Sequence, residues 1–442
     1  MQRDAALAYF TRATPGTIAV AAAGYALNTL LFISMARFLD PANFGSLKVA
    51  GSTMLIASLV VGLGGHRAAG RFLPVRLSGS RQAVAYLRFF GLATLGLSIL
   101  LAAAIWAVVL TGSDPLPDDI HGHHPVSFVV MLVPIWAGLD LLSQTYMATR
   151  RPVLGTLPAR FVFPAVGLVV IGVAHWSGWR LSDVMFVALL TASGTLTLLA
   201  FAGHLAIAEK VAPPDSGSQS PDTGRRATSA EPRDWLALSL PMMGSSLLVM
   251  LVAETPLLAL ALLDRSHSAG LYGAAALLTQ SFLVIVACQR QIYGPAVAGA
   301  LAEGPAAARR LYAHSQRQAL LFAIPLAAAL VLGADRLLGL FGPGFAEERV
   351  ILWILVAGLT VQVPMAMASR WLNYAGLARQ VLIAEGTAAA AMVVGTAVSI
   401  PQFGPVGAAA TYAGVVAAKS IALALLAHRR LGLPVLAAGT GA

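Results

Sequence analysis

Residues 85–111 read AYLRFFGLATLGLSILLAAAIWAVVLT, and past Arg88 no charged side chain interrupts them. A helix needs about 20 apolar residues to cross a hydrocarbon core. This stretch meets that length, and similar runs recur along the chain. They fall at 16–37, 43–65, 85–111, 127–149, 153–175 and 183–208, then at 235–263, 270–292, 317–334, 350–369, 380–400 and 406–427. Composition agrees. The 442 residues are 58% hydrophobic and 11% charged, with a mean hydropathy of +0.77. Soluble proteins average about 45–50% apolar and about 25% charged. An ordinary globular enzyme, a disordered chain and a fibrous repeat are excluded. An all-α polytopic membrane protein of about 12 transmembrane helices remains, with no room for a large soluble domain.

The formal charge of +10 suits cytoplasmic loops and an anionic ligand or lipid headgroup better than nucleic acid in such a chain. With a cytoplasmic N-terminus, the Lys and Arg residues collect on the inner side. The exceptions are Arg37, Lys48, Arg180, Arg265, Arg336 and Arg349, and Lys419 within the last span. Both termini are therefore expected in the cytoplasm, in a bacterial inner membrane. The N-terminal apolar stretch has no small-residue cleavage site after it and reads as a retained helix. Cys288, the lone cysteine, excludes an intramolecular disulfide and a cysteine-rich metal site. His121, His123 and His124 follow an acidic, Pro-rich outer loop from Asp114. They read either as a solvated loop or as a surface metal site, and no metal is expected.

A stretch rich in Pro, Ser, Asp, Gly and Thr, 212–234, divides the spans six and six. The expected units are an N-terminal lobe 1–211, a cytoplasmic linker 212–234 and a C-terminal lobe 235–442. The halves look duplicated. Gly45 and Gly270 differ by 225 positions, as do Met147 and Leu372, and Gly178 and Gly404 by 226. Six spans per half give both halves the same orientation. The pseudo-two-fold axis then lies along the membrane normal, with a substrate site expected between the lobes.

The order of several motifs resembles the Wzx-like polysaccharide flippases of the multidrug/oligosaccharidyl-lipid/polysaccharide (MOP) exporter superfamily. They are Ala36-Arg37-Phe38-Leu39-Asp40-Pro41-Ala42-Asn43-Phe44-Gly45, Gly62-Leu63-Gly64-Gly65-His66-Arg67 and Arg71-Phe72-Leu73-Pro74. Further along come Ala269-Gly270-Leu271-Tyr272-Gly273-Ala274, Leu340-Phe341-Gly342-Pro343-Gly344-Phe345 and Ile400-Pro401-Gln402-Phe403-Gly404-Pro405. The resemblance spans nearly the whole chain. It implies a two-lobe exporter that carries an undecaprenyl-diphosphate-linked oligosaccharide to the outer leaflet. It also implies membrane lipids, a polysaccharide polymerase and export proteins as partners. The drug-extruding branch of the superfamily has the same span number and stays as the alternative.

A charge at mid-span costs about 2.5–3.5 kcal/mol on insertion scales, so such residues usually face a wet cavity. Lys48, Asp140, Arg160, Glu254, Glu385 and Lys419 qualify. Glu254 precedes Pro256, which loosens its helix, and reads as a cavity group, a proton carrier or half of a structural pair. Asp140 and Gln144 share a helix face. Arg160 and Glu385 stand at equivalent repeat positions and could pair across the cavity, or Arg160 could snorkel. Arg37, Arg67 and Arg290 are anchors or diphosphate ligands. Asn28, Gln280 and Gln362, like Gln289, could bond sugar hydroxyls or join helices. Nucleotide-binding loops and zinc-ligand spacings are absent from the sequence, and neither enzyme chemistry nor a cofactor is expected.

Overall fold

A computed structural model describes residues 2–73, 77, 80–111, 128–149, 151–178, 182–211, 231–263, 266–345 and 349–436. Its described residues are helical, without strands. The rods are α1 (Gln2–Phe38), α2 (Pro41–Val61), α3 (Arg81–Thr111), α4 (Leu132–Ala148), α5 (152–176) and α6 (Asp183–Val211). They continue as α7 (Pro232–Leu263), α8 (Ser266–Tyr293), α9 (Pro305–Leu332), α10 (Arg349–Tyr374), α11 (378–403) and α12 (405–431). Nine stretches among the described residues are long and apolar enough to cross a membrane. The last of these is the 54-residue run Ala378–Leu431, which bends at Gly404 into α11 and α12. With α1 and the 17-residue α4 the described residues carry the expected twelve rods. It is a multi-pass membrane protein.

Local sequence explains the breaks. Asp40 caps α2 by accepting the Asn43 amide at 2.7 Å, with Pro41 in the first turn where its missing N–H costs nothing. Gly178 and Gly404, matched in the repeat, both adopt positive φ, 74° and 52°. That backbone region suits a residue without Cβ, so one glycine ends α5 and the other bends the α11–α12 run. In α5, Pro158 opens a single π-helical turn, Pro158–Val162, that carries Arg160. α9 starts well before the 317 expected from hydropathy. Arg309, Arg310 and Arg317 end the apolar signal but not the helix.

Each lobe packs its first helix on its fifth: α1 lies against α5, and α7 against the α11–α12 run. The lobes meet where α2 packs on α8 and α7. Gly45 and Gly270 bring the α2 and α8 backbones together. A Cβ on Gly45 would strike the Ser266 carbonyl oxygen, and one on Gly270 the Pro41 carbonyl oxygen. Ser266 follows Pro41 by the same 225 positions, so the contact is self-complementary, as a two-fold axis requires. Around it Phe44 packs edge-on against Phe341 and Phe345, with ring centroids 6.1 and 5.7 Å away, and Arg37 Nε donates to the Leu340 carbonyl at 2.9 Å. This joined end lies opposite the arginine-rich one, and nearer the arginines α7 also packs on the other lobe: a Cβ on Gly64 would strike the Ser239 carbonyl oxygen, and Trp235 stacks among Tyr86, Phe89 and Phe90 of α3. The loop holding His121, His123 and His124, and residues 212–230, lie outside the described residues.

Overpacking at such a crossing costs about 1–3 kcal/mol. Gly45→Ala and Gly270→Ala are each expected to lower thermal stability in detergent, by similar amounts. Gly51→Ala on the same helix, where a Cβ meets nothing within 4 Å, should leave it unchanged. Unequal losses would contradict the two-fold contact.

Candidate functional site

Two charged clusters lie along one face of α1. The face is set by Tyr25, Asn28 and Phe32, spaced at three and four residues. Tyr25 and Phe32 are seven residues apart, roughly 10 Å along the helix.

The cluster nearer the joined end belongs to both lobes. Lys48, on α2 a turn below Gly45, sits with Nζ 4.3 Å from the Phe32 ring centroid, a cation–π contact. Its stem packs where Gly273 of α8 leaves room. Ser52, one turn further along α2, donates its hydroxyl to Glu254 Oε2 of α7 at 2.5 Å. Lys48, Tyr272 and Tyr412 all lie within electrostatic reach of Glu254. One carboxylate thus gathers a hydroxyl donor and a cation from the opposite lobe and two phenols from its own.

The second cluster lies toward the arginine-rich end. Arg160, lifted out by the π turn, places its guanidinium 5.2 Å from the Tyr25 ring centroid. Gly24 lets α1 close on that turn, since a Cβ there would meet the Arg160 carbonyl. Asp140 of α4 lies within electrostatic reach of both Arg67 and Arg160 without an ion pair to either. Gln144 follows Asp140 by one turn, half-buried. From the other lobe, Arg290 of α8 lies within reach of Tyr25, Glu385 and Arg370, and Arg370 Nη1 donates to the Arg290 carbonyl at 3.1 Å. Arg67, Arg160 and Arg290 are all exposed. Glu385 and Lys419 form a direct pair at 2.9 Å, their side chains 14% and 12% exposed. The partner of Glu385 is therefore Lys419 of its own lobe and not Arg160, its repeat counterpart.

The remaining candidates scatter. Arg37 ties the lobes at the opposite end. Gln280 marks a break within α8 and Gln362 lies in α10 before Pro364, both half-buried. Gln289 donates to the Ser315 carbonyl at 3.1 Å and joins helices. Tyr25, Ser52, Tyr272, Tyr412 and Arg370 were missed by the sequence reading. Tyr25 shares a face with Asn28, and Ser52 with Lys48, at a spacing that could have flagged both. Among the described residues no group of His, Cys, Asp and Glu could hold a metal ion. Two surface grooves, of about 420 and 380 Å³, run along α3 and touch neither cluster.

No protein-family model and no curated protein matches the sequence. Solved structures do match. An inward-facing multidrug-resistance MATE family transporter of the MOP superfamily aligns with a TM-score of 0.68 at 14% identity, over 95% of this chain and 98% of that one. The lipid II flippase MurJ, in an inward closed conformation, aligns at 0.68 and 9% identity, over 93% and 86%. An outward-facing MATE transporter aligns at 0.56 and 14%, over 95% of each chain. The fold is that of MOP-superfamily transporters.

A hydrogen bond to a charged group is worth about 1.5–3 kcal/mol, so Ser52→Ala should destabilise the folded protein by that order, read by thermal unfolding in detergent. A second test uses pH. His66, in the short helix Gly65–Phe72, is buried, and burial together with the neighbouring Arg67 pushes its imidazole from 6.5 down to about 4. The unfolded chain takes up that proton near 6.5 and the folded one only near 4. The stability owed to neutral His66 is therefore complete above 6.5 and falls as pH drops toward 4. His66→Gln should flatten that slope; an unchanged slope would remove His66 as its source.

Proposed function

We propose that the protein moves an undecaprenyl-diphosphate-linked oligosaccharide from the cytoplasmic to the outer leaflet of a bacterial inner membrane by alternating access, for surface polysaccharide assembly. The observation that carries this reading is the charge of the cluster around Tyr25. Arg160 from one lobe and Arg290 from the other flank it, with Arg67 beyond Asp140. Among the described residues none of these three arginines is in a direct ion pair, while Glu385 is already matched by Lys419. The excess is cationic. A diphosphate is anionic and rich in acceptors, and the guanidinium fork matches its geometry.

In this mechanism the headgroup is held between Arg160 and Arg290 while the polyprenyl tail stays in lipid. The sugars remain in the hydrated space between the lobes, which avoids the several kcal/mol per unpaired hydroxyl that hydrocarbon would exact. The seal at Gly45, Gly270, Phe44 and Phe345 closes the end opposite the arginines, as a cytoplasm-facing loading state requires. Release then needs that seal to part and the arginine-flanked space to narrow. The lipid gradient, or an ion carried on Glu254 or Asp140, supplies the driving force. The basic end is cytoplasmic in this reading, both termini lie there, and a polymerase and export proteins act on the delivered unit. The likeness to MurJ supports a lipid-linked cargo; the MATE likeness supports the rocking of two lobes.

Deletion of the protein, followed by leaflet-resolved analysis of lipid-linked sugars, tests the reading. The expected result is a lipid-linked repeat unit accumulating on the cytoplasmic face. Arg160→Ala and Arg290→Ala should each slow flipping in vesicles about 10- to 100-fold, the worth of a charged hydrogen-bond set. Normal surface glycan with altered drug tolerance would overturn the proposal in favour of a cation-coupled drug or metabolite exporter on the same fold.

A further inference from the structure

The two lobes share a backbone plan but not a charge plan. At positions related by the repeat, the N-terminal lobe carries Arg160 and the C-terminal lobe Glu385. Glu385 is held by Lys419 at 2.9 Å and lies within electrostatic reach of Arg290, beside which Arg370 is fixed by its bond to the Arg290 carbonyl. A single carboxylate therefore serves both Lys419 and Arg290. Arg290 in turn shares Tyr25 with Arg160 of the other lobe. A buried lysine matched to a carboxylate is an ordinary structural pair. A carboxylate that also faces an exposed arginine beside the headgroup site does more, because it competes for that arginine with whatever anion arrives.

We propose that Glu385 is a resident counter-anion. It occupies Arg290 electrostatically when the site is empty, yields it to the incoming diphosphate, and by its repulsion keeps that diphosphate from binding too tightly to be released. This rests on the reading that the Arg160–Arg290 cluster takes a diphosphate, and it assigns Glu385 a positioning role. A transporter gains from such a device because its ligand must leave as readily as it enters. Uniformly tight binding would lower turnover, while a fixed negative charge at one side of the site weakens the bound state without removing the arginines that capture the ligand.

The test is titration of the purified full-length protein with inorganic pyrophosphate, together with flipping of lipid-linked sugar in vesicles. Glu385→Gln is expected to bind pyrophosphate about tenfold more tightly, the size of one charge removed at protein-like screening, and to flip more slowly. Tighter binding with slower turnover is a split that loss of a merely structural pair does not produce. Should Glu385→Gln fail to fold, the charge-balanced Glu385→Gln/Lys419→Met protein, expected to bind near wild-type level, is compared with Lys419→Met alone. Lys419→Met leaves the carboxylate to Arg290 and should bind about tenfold more weakly. Unchanged or weaker binding in folded Glu385→Gln, or equal affinity in the two Lys419 proteins, overturns the inference while leaving the diphosphate site intact. Wild-type protein that does not bind pyrophosphate, with Arg290→Ala no different, overturns both.

Discussion

The contact between Gly45 and Gly270 sets the geometry on which everything else rests. Two helices can touch backbone to backbone only where neither carries a side chain, and here the two residues that permit it are matched in the repeat. The crossing fixes where the axis runs and which residues face across it. One turn below, Lys48 lies over Gly273, and Ser52 meets Glu254 a turn further on. A bulkier pair at the crossing would push α2 off α8 and separate Lys48 and Ser52 from Glu254.

Around this symmetric frame the charges are placed without symmetry. Lys48 corresponds in the repeat to Gly273, Glu254 to Thr29, and Lys419 to Ser193. The scaffold repeats while the polar groups stand on one side at a time. Asp140, Glu254 and Glu385 illustrate a common rule. Each interior carboxylate faces cations, because an isolated charge at such depth is costly. The same rule leaves a surplus of arginine near Tyr25.

Much of the fold was legible in the sequence because a bilayer imposes a length on each apolar run. The twelve spans and the repeat followed from that constraint and from the 225-residue offset. Helix ends were less legible. Hydropathy reports where hydrocarbon stops, and α9 continues through Arg317, Arg310 and Arg309 beyond it. The identities of the interior charged residues were also visible, since charge in an apolar run is conspicuous. Their partners were not. Glu385 could be matched on paper with Arg160 by repeat position, yet the fold gives it Lys419, because α11 and α12 are neighbours in one lobe. Tyr25, Tyr272 and Tyr412 went unread because a tyrosine in a membrane helix carries no charge to betray it. Arg37 looked like the other arginines and proved to be a tie between the lobes, bonded to Leu340.

Gly404, whose φ and ψ are not helical, breaks the run into two arms, α11 and α12, that fold back on each other with Ser399 bonded to Thr411. Glu385 rides on the first arm and Lys419 on the second, so their separation is governed by one elbow and by no loop. Acid and base thus sit on one helical hairpin as a prefabricated dipole. Because the hairpin sets its length, the pair is a fixed ruler built into the C-terminal half.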